Sequence, residues 1–247
     1  MTRKTVCTDP LIQYEIGDCM RLLSSLDDDS VDTVITDPPY STGARDGTRK
    51  MRGSLIRTDT KAWFAFDKMT TRGFCHFMRE VFLEASFKLK EGGCVLSFID
   101  WRQSGNMMDV MESAGLILQN CIIWDKEHFG MGTNFRSQHE FIIMGSKGTP
   151  EFVRHDIGNV IQCKRRADTI HPTEKPVELI AKLISACVPK GGLVVDPFLG
   201  SGATLEACRI CNVMGIGSEI NPDYEPIIRK RAMADTPSLF SFCKEGA

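Results

Sequence analysis

The tetrapeptide Asp37-Pro38-Pro39-Tyr40 has the chemistry needed to hold a planar amino group. Two consecutive prolines keep the backbone extended and remove its N–H donors, which leaves the Asp37 carboxylate and the Pro38 carbonyl as acceptors. Two acceptors that face the same way take both hydrogens of an exocyclic amine, which favours a more tetrahedral nitrogen with an exposed lone pair. The Tyr40 ring can stack on the base that carries this amine. A rigid connection between a strand and a turn would explain the same residues without any chemistry.

A glycine turn, Gly200-Ser201-Gly202, follows a predicted strand and precedes a predicted helix. Glycine lets a ligand approach the backbone closely, and the start of a helix offers free N–H groups. Glu219 ends the next predicted strand, where a carboxylate can accept both hydroxyl groups of a ribose. The turn lacks the third glycine of a dinucleotide fingerprint and the lysine of a phosphate-binding loop, which argues against NAD and ATP. The pattern favours a nucleoside-bearing cofactor, and a tight turn beside a surface glutamate is the alternative.

The elements that must position these residues alternate between short apolar runs and stretches of helical periodicity. Strands are predicted at 31–36, 94–99, 117–124, 140–144, 193–195 and 213–218, and helices at 71–90, 104–113, 176–187, 203–211 and 222–234. Gly92-Gly93 is predicted to end the helix that begins at Thr71. This alternation indicates a doubly wound, mostly parallel α/β sheet with helices on both faces, in one domain over residues 1–247. Ligands of such sheets bind beyond the carboxyl ends of the strands, where Asp37, Asp196 and Glu219 occur.

The composition is that of an ordinary globular protein, with 42% hydrophobic and 25% charged residues. No apolar run approaches the roughly 20 residues of a membrane span, and the N-terminal residues do not resemble a signal peptide, so a cytoplasmic location is expected. The ten cysteines lie in apolar segments and are expected to be reduced. The single Cys-x-x-Cys pair, Cys208 and Cys211, is interpreted as two packing residues, and no metal site is predicted.

Local charge says more about partners than the net charge of −2 does. Between Ala44 and Lys61 the basic residues greatly outnumber the acidic ones, and Lys164-Arg165-Arg166 forms a second basic cluster. A basic loop on a neutral body is typical of a surface that follows phosphates. A solvated flexible loop is the alternative interpretation.

Taken together, the motifs resemble those of the S-adenosylmethionine-dependent DNA amino-methyltransferases. Asp-Pro-Pro-Tyr is similar to their catalytic motif, and residues 196–202, Asp-Pro-Phe-Leu-Gly-Ser-Gly, to their cofactor loop. Residues 171–176, His-Pro-Thr-Glu-Lys-Pro, and 17–19, Gly-Asp-Cys, resemble two further motifs. The resemblance covers about residues 14–224. Because the catalytic motif precedes the cofactor loop, the chain resembles the circularly permuted β group, which implies a seven-stranded Rossmann-like methyltransferase sheet.

The resemblance implies a role for each matching residue. Glu219 would bind the ribose hydroxyls, and Asp18 would accept from the adenine amine of the cofactor, with Cys19 offering its backbone. Thr173 and Lys175 would hold the methionine carboxylate. The implied catalytic residues are Asp37, Pro38, Pro39 and Tyr40. The other implied cofactor-binding residues are Asp37, His171, Asp196, Phe198, Gly200, Ser201, Gly202 and Ile220. The family often has Gln where this chain has Glu174, so the role of that position is not implied.

The activity implied is transfer of the methyl group of S-adenosylmethionine to the exocyclic N6 of a flipped adenine in duplex DNA. The transfer would be direct and in line, and extruding the base costs a few kcal/mol that pocket contacts recover. Carbon-5 cytosine methyltransferases use a cysteine in a Pro-Cys dipeptide, which this chain lacks. Asp at position 37 favours adenine, since Ser is more usual in cytosine-N4 members. A cytosine-N4 enzyme, an RNA or protein methyltransferase, and a catalytically silent module that binds cofactor or DNA are the alternatives.

The expected partner is double-stranded DNA rather than a membrane. Residues 41–63 and 145–169 are expected to form DNA-contacting insertions that take part in target recognition. The candidate DNA contacts are Arg45, Arg49, Lys50, Arg52 and Arg136. Members of this group are often homodimers, and a cognate restriction enzyme and a bacterial or phage origin are compatible with the resemblance.

Overall fold

The computed structural model describes residues 5–9, 11–39, 69–130, 135–164 and 174–233. The strands are β1 (Thr5–Asp9), β2 (Ile12–Ile16), β3 (Val31–Thr36), β4 (Leu89–Ile99), β5 (Ile117–Asp125), β6 (His139–Ser146), β7 (Val160–Gln162), β8 (Leu193–Asp196) and β9 (Met214–Glu219). The helices are α1 (Cys19–Ser24), α2 (Thr71–Lys88), α3 (Ser104–Ser113), α4 (Val177–Cys187), α5 (Ala203–Cys211) and α6 (Glu225–Met233). A short 3-10 turn, Pro222–Tyr224, leads into α6. None of these helices is both long and apolar enough to cross a membrane.

Within the described residues the strands form one sheet in the order β1-β2-β9-β8-β3-β4-β6-β5-β7. The pairs β2–β9, β9–β8, β8–β3, β3–β4 and β5–β7 are parallel, and the pairs β1–β2, β4–β6 and β6–β5 are antiparallel. The mostly parallel α/β fold is therefore confirmed. The sheet has nine strands where seven were expected, because β1 and β7 add short strands at its two edges.

Helices cover both faces of the sheet, as a doubly wound fold requires. Helices α1, α2 and α3 pack on one face, and α4, α5 and α6 pack on the other. Consecutive strand residues point to opposite faces: Val34 and Val195 contact the first group of helices, whereas Ile35 and Val194 contact the second. The central strands are thus apolar on both sides, which is why they appear in the sequence as short uninterrupted apolar runs.

Local sequence accounts for where the helices begin. The Thr70 hydroxyl accepts a hydrogen bond from the Gly73 N–H at 3.1 Å and caps α2. Pro176 lies at the residue before α4 rather than at its first position, so that prediction is wrong by one residue. Its backbone is extended, with φ −60° and ψ 129°, so the helix begins at the next residue, Val177. The predicted bounds 104–113 and 203–211 agree with α3 and α5.

Gly92-Gly93 does not end helix α2, contrary to the expectation. The helix ends at Lys88 and strand β4 begins at the next residue, so the glycines lie inside β4. Gly92 has φ +80°, and the register with β3 shifts between Leu89 and Cys94, which marks a bulge. A Cβ atom on Gly93 would lie 2.9 Å from the carbonyl oxygen of Lys90 and 3.1 Å from that of Asp32. Glycine is required here by crowded backbone.

We predict that Gly93→Ala lowers the free energy of unfolding by about 1–3 kcal/mol, because the added methyl group meets backbone that cannot move aside. Gly105→Ala in α3 is the matched control, since a Cβ atom there meets nothing within 4 Å. That variant should gain roughly 0.5–1 kcal/mol from the better helix propensity of alanine. Urea denaturation of the three proteins measures both values. Equal stability of the two variants would contradict the assignment of a crowded bulge.

Candidate active site

The carboxyl ends of three neighbouring strands open into one cavity of about 480 Å³. Asp37 follows β3, Asp196 ends β8 and Glu219 ends β9, and these strands are adjacent in the sheet. The predicted site residues that line the cavity are Asp18, Cys19, Asp37, Pro38, Pro39, Lys175, Asp196, Phe198, Gly200, Ser201, Glu219 and Ile220. Tyr40, His171 and Thr173 lie outside the described residues, as do Arg45, Arg49, Lys50, Arg52 and the whole segment 41–63.

The glycine turn is held against Glu219 by backbone hydrogen bonds. Gly200 and Gly202 adopt φ values of +53° and +86°, in the left-handed region that favours glycine. The Gly200 N–H donates to Glu219 Oε2 and the Asn221 N–H donates to Oε1, each at 2.8 Å. Burial raises the pKa of Glu219, and these N–H groups oppose that shift in part. The carboxylate is therefore fixed at the cavity wall. Gly202 does not line the cavity, because it packs against Ile228.

Asp196 joins β8 to its neighbours beneath the glycine turn. Its Oδ1 accepts hydrogen bonds from the Thr36 hydroxyl at 2.9 Å and the Phe198 N–H at 3.0 Å. Its Oδ2 accepts from the Thr204 hydroxyl at 2.6 Å. Burial raises the pKa of Asp196 to about 7, although the hydroxyl donors oppose the shift. The residue thus organises the start of the cofactor loop, and the sequence analysis missed both threonines.

Arg231 of α6 ties the glycine turn to the segment before α4. Its guanidinium donates to the Ser201 hydroxyl at 2.8 Å and to Glu174 Oε1 at 2.5 Å. Its Nε lies 3.3 Å from Glu206 Oε2 on α5. This finding gives Glu174 a role that the sequence analysis did not assign, as the anionic partner of Arg231. Sequence alone did not point to Arg231, because it lies in a helix of ordinary charged composition.

Asp37 is paired with a buried lysine at the edge of the cavity. Lys175 Nζ lies 2.6 Å from Asp37 Oδ2 and 3.4 Å from Glu140 Oε2. The Lys175 side chain is only 6% exposed, and its ammonium group lies 5.3 Å from the centre of the Phe98 ring. Burial alone would lower the pKa of Lys175, but the charges of Asp37 and Glu140 outweigh it and raise the pKa. The structure therefore places a charged pair where the Asp37-Pro38-Pro39 segment meets the cavity.

The start of α1 forms another wall of the cavity. Asp18 caps this helix, with its Oδ1 accepting from the Met20 N–H at 2.9 Å. Burial raises the pKa of the neighbouring Cys19 to about 12, so its thiol stays protonated at neutral pH. The Cys19 side chain therefore acts as an apolar wall residue and not as a nucleophile. Its position is compatible with the backbone role that the resemblance implies.

Aromatic and cationic groups lie in the connection between β5 and β6. This connection emerges at the same edge of the sheet as Asp37, because β5 runs in the same direction as β3 and β4. The exposed Arg136 guanidinium lies 3.6 Å from the centre of the Phe129 ring, and His128 stacks on that ring at 5.4 Å. Arg136 does not line the cavity, so it is separate from the groups around Asp37.

Part of segment 145–169 belongs to the sheet. It contains the last residues of β6 and all of β7, and residues 165–169 lie outside the described part. The described cysteine side chains are free thiols, and Cys208 is completely buried. Among the described residues, no group of three or more His, Cys, Asp or Glu side chains is arranged to hold a metal ion.

A model of the DNA methylase family, which joins the N6 and N4 amino-methyltransferases, matches residues 31–230, most of the chain. The protein belongs to this family. One relative is YubD of Escherichia coli strain K12, a protein named as a methylase. It is 28% identical to this chain over 219 residues, which cover 88% of each chain. The type II methyltransferase M.HpaI of Haemophilus parainfluenzae is 25% identical over 243 residues, which cover 87% of this chain and 72% of that relative.

Two solved structures share the fold of this methylase. The M1.HpyAVI complex with S-adenosylmethionine has a TM-score of 0.67 and 22% identity, and the match covers 90% of this chain and 99% of that one. The PvuII DNA methyltransferase, described as cytosine-N4-specific, has a TM-score of 0.72 and 16% identity, with 96% and 91% covered. S-Adenosylmethionine is the methyl donor of the family to which the chain belongs.

The raised pKa of Asp196 predicts a pH-dependent contribution to stability. Between the ordinary aspartate pKa of 3.8 and the pKa of about 7 in the folded protein, the folded state keeps a proton that the unfolded state has released. The group therefore stabilises the fold at low pH, and this contribution is lost as the pH rises through about 7. We expect Asp196→Asn to cost more unfolding free energy at pH about 4.5 than at pH about 7.5.

Urea denaturation of both proteins at the two pH values measures this difference, because the contributions of other ionisable groups cancel in the comparison. Asp223→Asn is the control for the substitution itself, since Asp223 is an exposed carboxylate outside the cavity, where a substitution should cost little. An equal cost of Asp196→Asn at both pH values would contradict the predicted titration.

Proposed function

We propose that this methylase transfers the methyl group of S-adenosylmethionine to N6 of a flipped adenine in double-stranded DNA. The observation that carries the proposal is the Asp37 carboxylate, held 2.6 Å from buried Lys175 at the cavity that Glu219 and Asp18 also line. An ionised carboxylate is a strong acceptor for an amine N–H. Aspartate rather than serine at this position favours adenine as the base.

The cavity has the size and polar groups that the methyl donor requires. Its volume of about 480 Å³ is within the usual range for small-molecule sites, and its walls are mostly apolar with a few fixed polar groups. Glu219 would hold the ribose hydroxyls, and Asp18 and Cys19 would hold the adenine. Lys175 would meet the methionine carboxylate with Thr173, which lies outside the described residues. Phe198 packs edge to face on Phe77 and would line the methionine side.

The bound donor supplies an electrophilic sulfonium methyl group. Asp37 and the Pro38 carbonyl would accept the two amine hydrogens and turn the nitrogen lone pair towards that group. The amine loses one proton when it gains the methyl group, and the Asp37 carboxylate is the group positioned to receive it and pass it to water. The protein contributes alignment and polarisation of a weak nucleophile, without a covalent intermediate on the chain.

Transfer to N4 of cytosine is the second candidate function. The fold matches the PvuII enzyme, which is described as cytosine-N4-specific, over 96% of this chain. Both bases present a planar exocyclic amine, so the contacts proposed for Asp37 serve either one. A labelled-methyl assay on DNA duplexes that contain only one of the two target bases separates the candidates, and mapping modified bases in a methylation-free bacterium gives the sequence context. A cognate restriction enzyme would be the natural partner, as the type II name of M.HpaI indicates for that relative.

We predict that Asp37→Asn abolishes detectable methyl transfer, because the neutral amide loses the charged acceptor and presents N–H donors to the amine. Binding of S-adenosylmethionine, measured by calorimetry, should be retained within about tenfold, roughly one ion-pair contact. Glu178→Gln, an exposed position of α4 away from the cavity, is the control and should keep wild-type activity. Retained transfer in Asp37→Asn would contradict the assignment, and loss of both binding and transfer would point to a structural role.

We also propose that Arg136 and the basic segment 41–63 contact the phosphates of the target duplex. Stacking of the Arg136 guanidinium on Phe129 leaves its edge for hydrogen bonds to a phosphate. Segment 145–169 is the second proposed contact region, because it continues the sheet edge next to the β5–β6 connection.

For Arg136→Ala, we expect weaker DNA binding and unchanged cofactor affinity. The slope of the logarithm of the DNA-binding constant against the logarithm of salt concentration should be smaller in magnitude by about one. Fluorescence anisotropy over a salt series measures the slope. Lys190→Ala is the control. Lys190 is exposed on the turn before β8, at the amino ends of the parallel strands and therefore away from Asp37. If the slopes of both variants equal that of the wild type, Arg136 does not contact phosphate.

A further inference from the structure

A chain of alternating charges extends from Asp37 into the protein. Lys126 Nζ lies 2.6 Å from Glu140 Oε1, Glu140 Oε2 lies 3.4 Å from Lys175 Nζ, and Lys175 Nζ lies 2.6 Å from Asp37 Oδ2. The four side chains come from four separate places: the residue after β5, strand β6, the segment before α4, and the residue after β3. With two cations and two anions, this row of four side chains is neutral as a whole.

Burial makes each link of this chain depend on the next. The Lys126 and Glu140 side chains are 17% and 21% exposed, and Lys175 is less exposed still. A charge in such a place is costly unless an opposite charge accompanies it. Aromatic rings pack near both lysines, with Trp124 5.1 Å from Lys126 Nζ and Phe98 near Lys175. These rings exclude water and favour the cationic form of each lysine.

The ionisation of Glu140 reflects its two lysine partners. Burial would raise the pKa of Glu140, but the charges of Lys175 and Lys126 outweigh it, and the pKa lies below its ordinary value. Glu140 therefore stays an anion at neutral pH. It divides the attraction on the Lys175 ammonium between two carboxylates, one on β6 and one at the cavity.

We propose that Glu140 is a positioning residue for methyl transfer, which with Lys126 holds the Lys175 ammonium so that Lys175 fixes the Asp37 carboxylate. This inference rests on the proposed function, because it assigns Glu140 a part in presenting the amine acceptor. Glu140 does not line the cavity, so its effect is exerted through Lys175. Without Glu140, the Lys175 ammonium would pair with Asp37 alone. This pairing would change the direction and strength of the hydrogen bond that Asp37 accepts from the amine.

The test compares Glu140→Gln with the wild type on a duplex that contains the target base. Glutamine keeps the size of the side chain and removes its charge. We expect kcat to fall roughly ten- to hundredfold, the range that misplacement of a reacting group produces. The KM for DNA should stay within about twofold of the wild type, because no side chain that would contact DNA is replaced. Because Lys175 would also meet the methionine carboxylate, kcat is compared at saturating S-adenosylmethionine.

The pH profile supplies a readout that a purely structural role would not move. Among the described residues, the charged groups that face the Lys175 ammonium are Asp37, which follows β3, and Glu140 of β6, with Lys126 behind Glu140. Because Glu140 helps to raise the pKa of Lys175, its removal should let Lys175 lose its proton at lower pH. The alkaline limb of kcat should therefore move to lower pH in Glu140→Gln. Glu178→Gln, which removes a carboxylate paired with exposed Lys182, should leave the profile unchanged.

Lys126→Met keeps the test decisive if Glu140→Gln does not fold, and a double-mutant comparison tests whether the effect passes through Lys175. Lys126→Met preserves the aliphatic stem beside Trp124 and removes the outer cation, and it should lower kcat in the same direction by a smaller factor. In a Lys175→Met background, Glu140→Gln should change the residual kcat by no more than about twofold, because the residue through which Glu140 acts is gone.

The outcomes separate the two proposals. An active wild type with kcat and pH profile unchanged in both Glu140→Gln and Lys126→Met would overturn the positioning role alone. An equal loss from Glu140→Gln in the wild-type and Lys175→Met backgrounds would also overturn it, since the effect would not pass through Lys175. A wild type that methylates neither base in DNA would instead contradict the proposed function.

Discussion

The parallel pairing of β3 with β8 is the constraint on which the site depends. Thr33 and Val34 lie opposite Val194 and Val195, so both strands leave the sheet at the same edge. The hydrogen bond from Thr36 to Asp196 locks this edge between residues 160 positions apart in the chain. With β9 as the next strand, a rigid proline segment, a glycine turn and the Glu219 carboxylate come to face one space. The chain order of the motifs is then irrelevant to their geometry, which explains how a permuted order leaves a complete site.

The buried carboxyl groups in and next to the cavity are stabilised in two different ways. Asp196 is surrounded by neutral hydroxyl and N–H donors, and burial raises its pKa to about 7. Glu140 lies between two lysines, which lower its pKa in spite of burial. Next to the glycine turn, the Asp196 carboxyl group therefore acts as a hydrogen-bonded structural group whose pKa lies close to neutral pH. Next to Asp37, the opposite charges of the two lysines keep Glu140 ionised. A buried carboxyl group thus holds the glycine turn in one place, and in the other it balances the charges of neighbouring lysines.

Sequence reasoning worked best where one local rule decided the outcome. The doubly wound fold, the bounds of α3 and α5, and the carboxyl-end positions of Asp37, Asp196 and Glu219 follow from apolar periodicity and motif spacing. It failed where tertiary contacts decided. Gly92-Gly93 looked like a helix terminus because glycine breaks helices, yet it serves a bulge that only the neighbouring strand reveals.

The missed site residues share a physical reason. Thr36, Thr204, Glu140 and Arg231 are ordinary polar residues whose value comes from partners far away in sequence. No spacing rule links Glu140 to Lys175, because the link exists only after β6 and α4 have packed. A charged residue in an otherwise apolar strand such as β6 was the available signal, since burial of such a charge requires a partner.

The contacts of Arg231 bear on the order in which the protein is made. The guanidinium that holds Ser201 and Glu174 belongs to α6, which follows every other helix and strand described in the chain. A nascent chain on the ribosome therefore has its proline motif and glycine turn outside the exit tunnel before the arginine that braces the turn has emerged. The braced form of the glycine turn therefore exists only once α6 has joined the rest of the fold. A polypeptide that ended before α6 would carry both motifs but would lack the arginine that braces the turn.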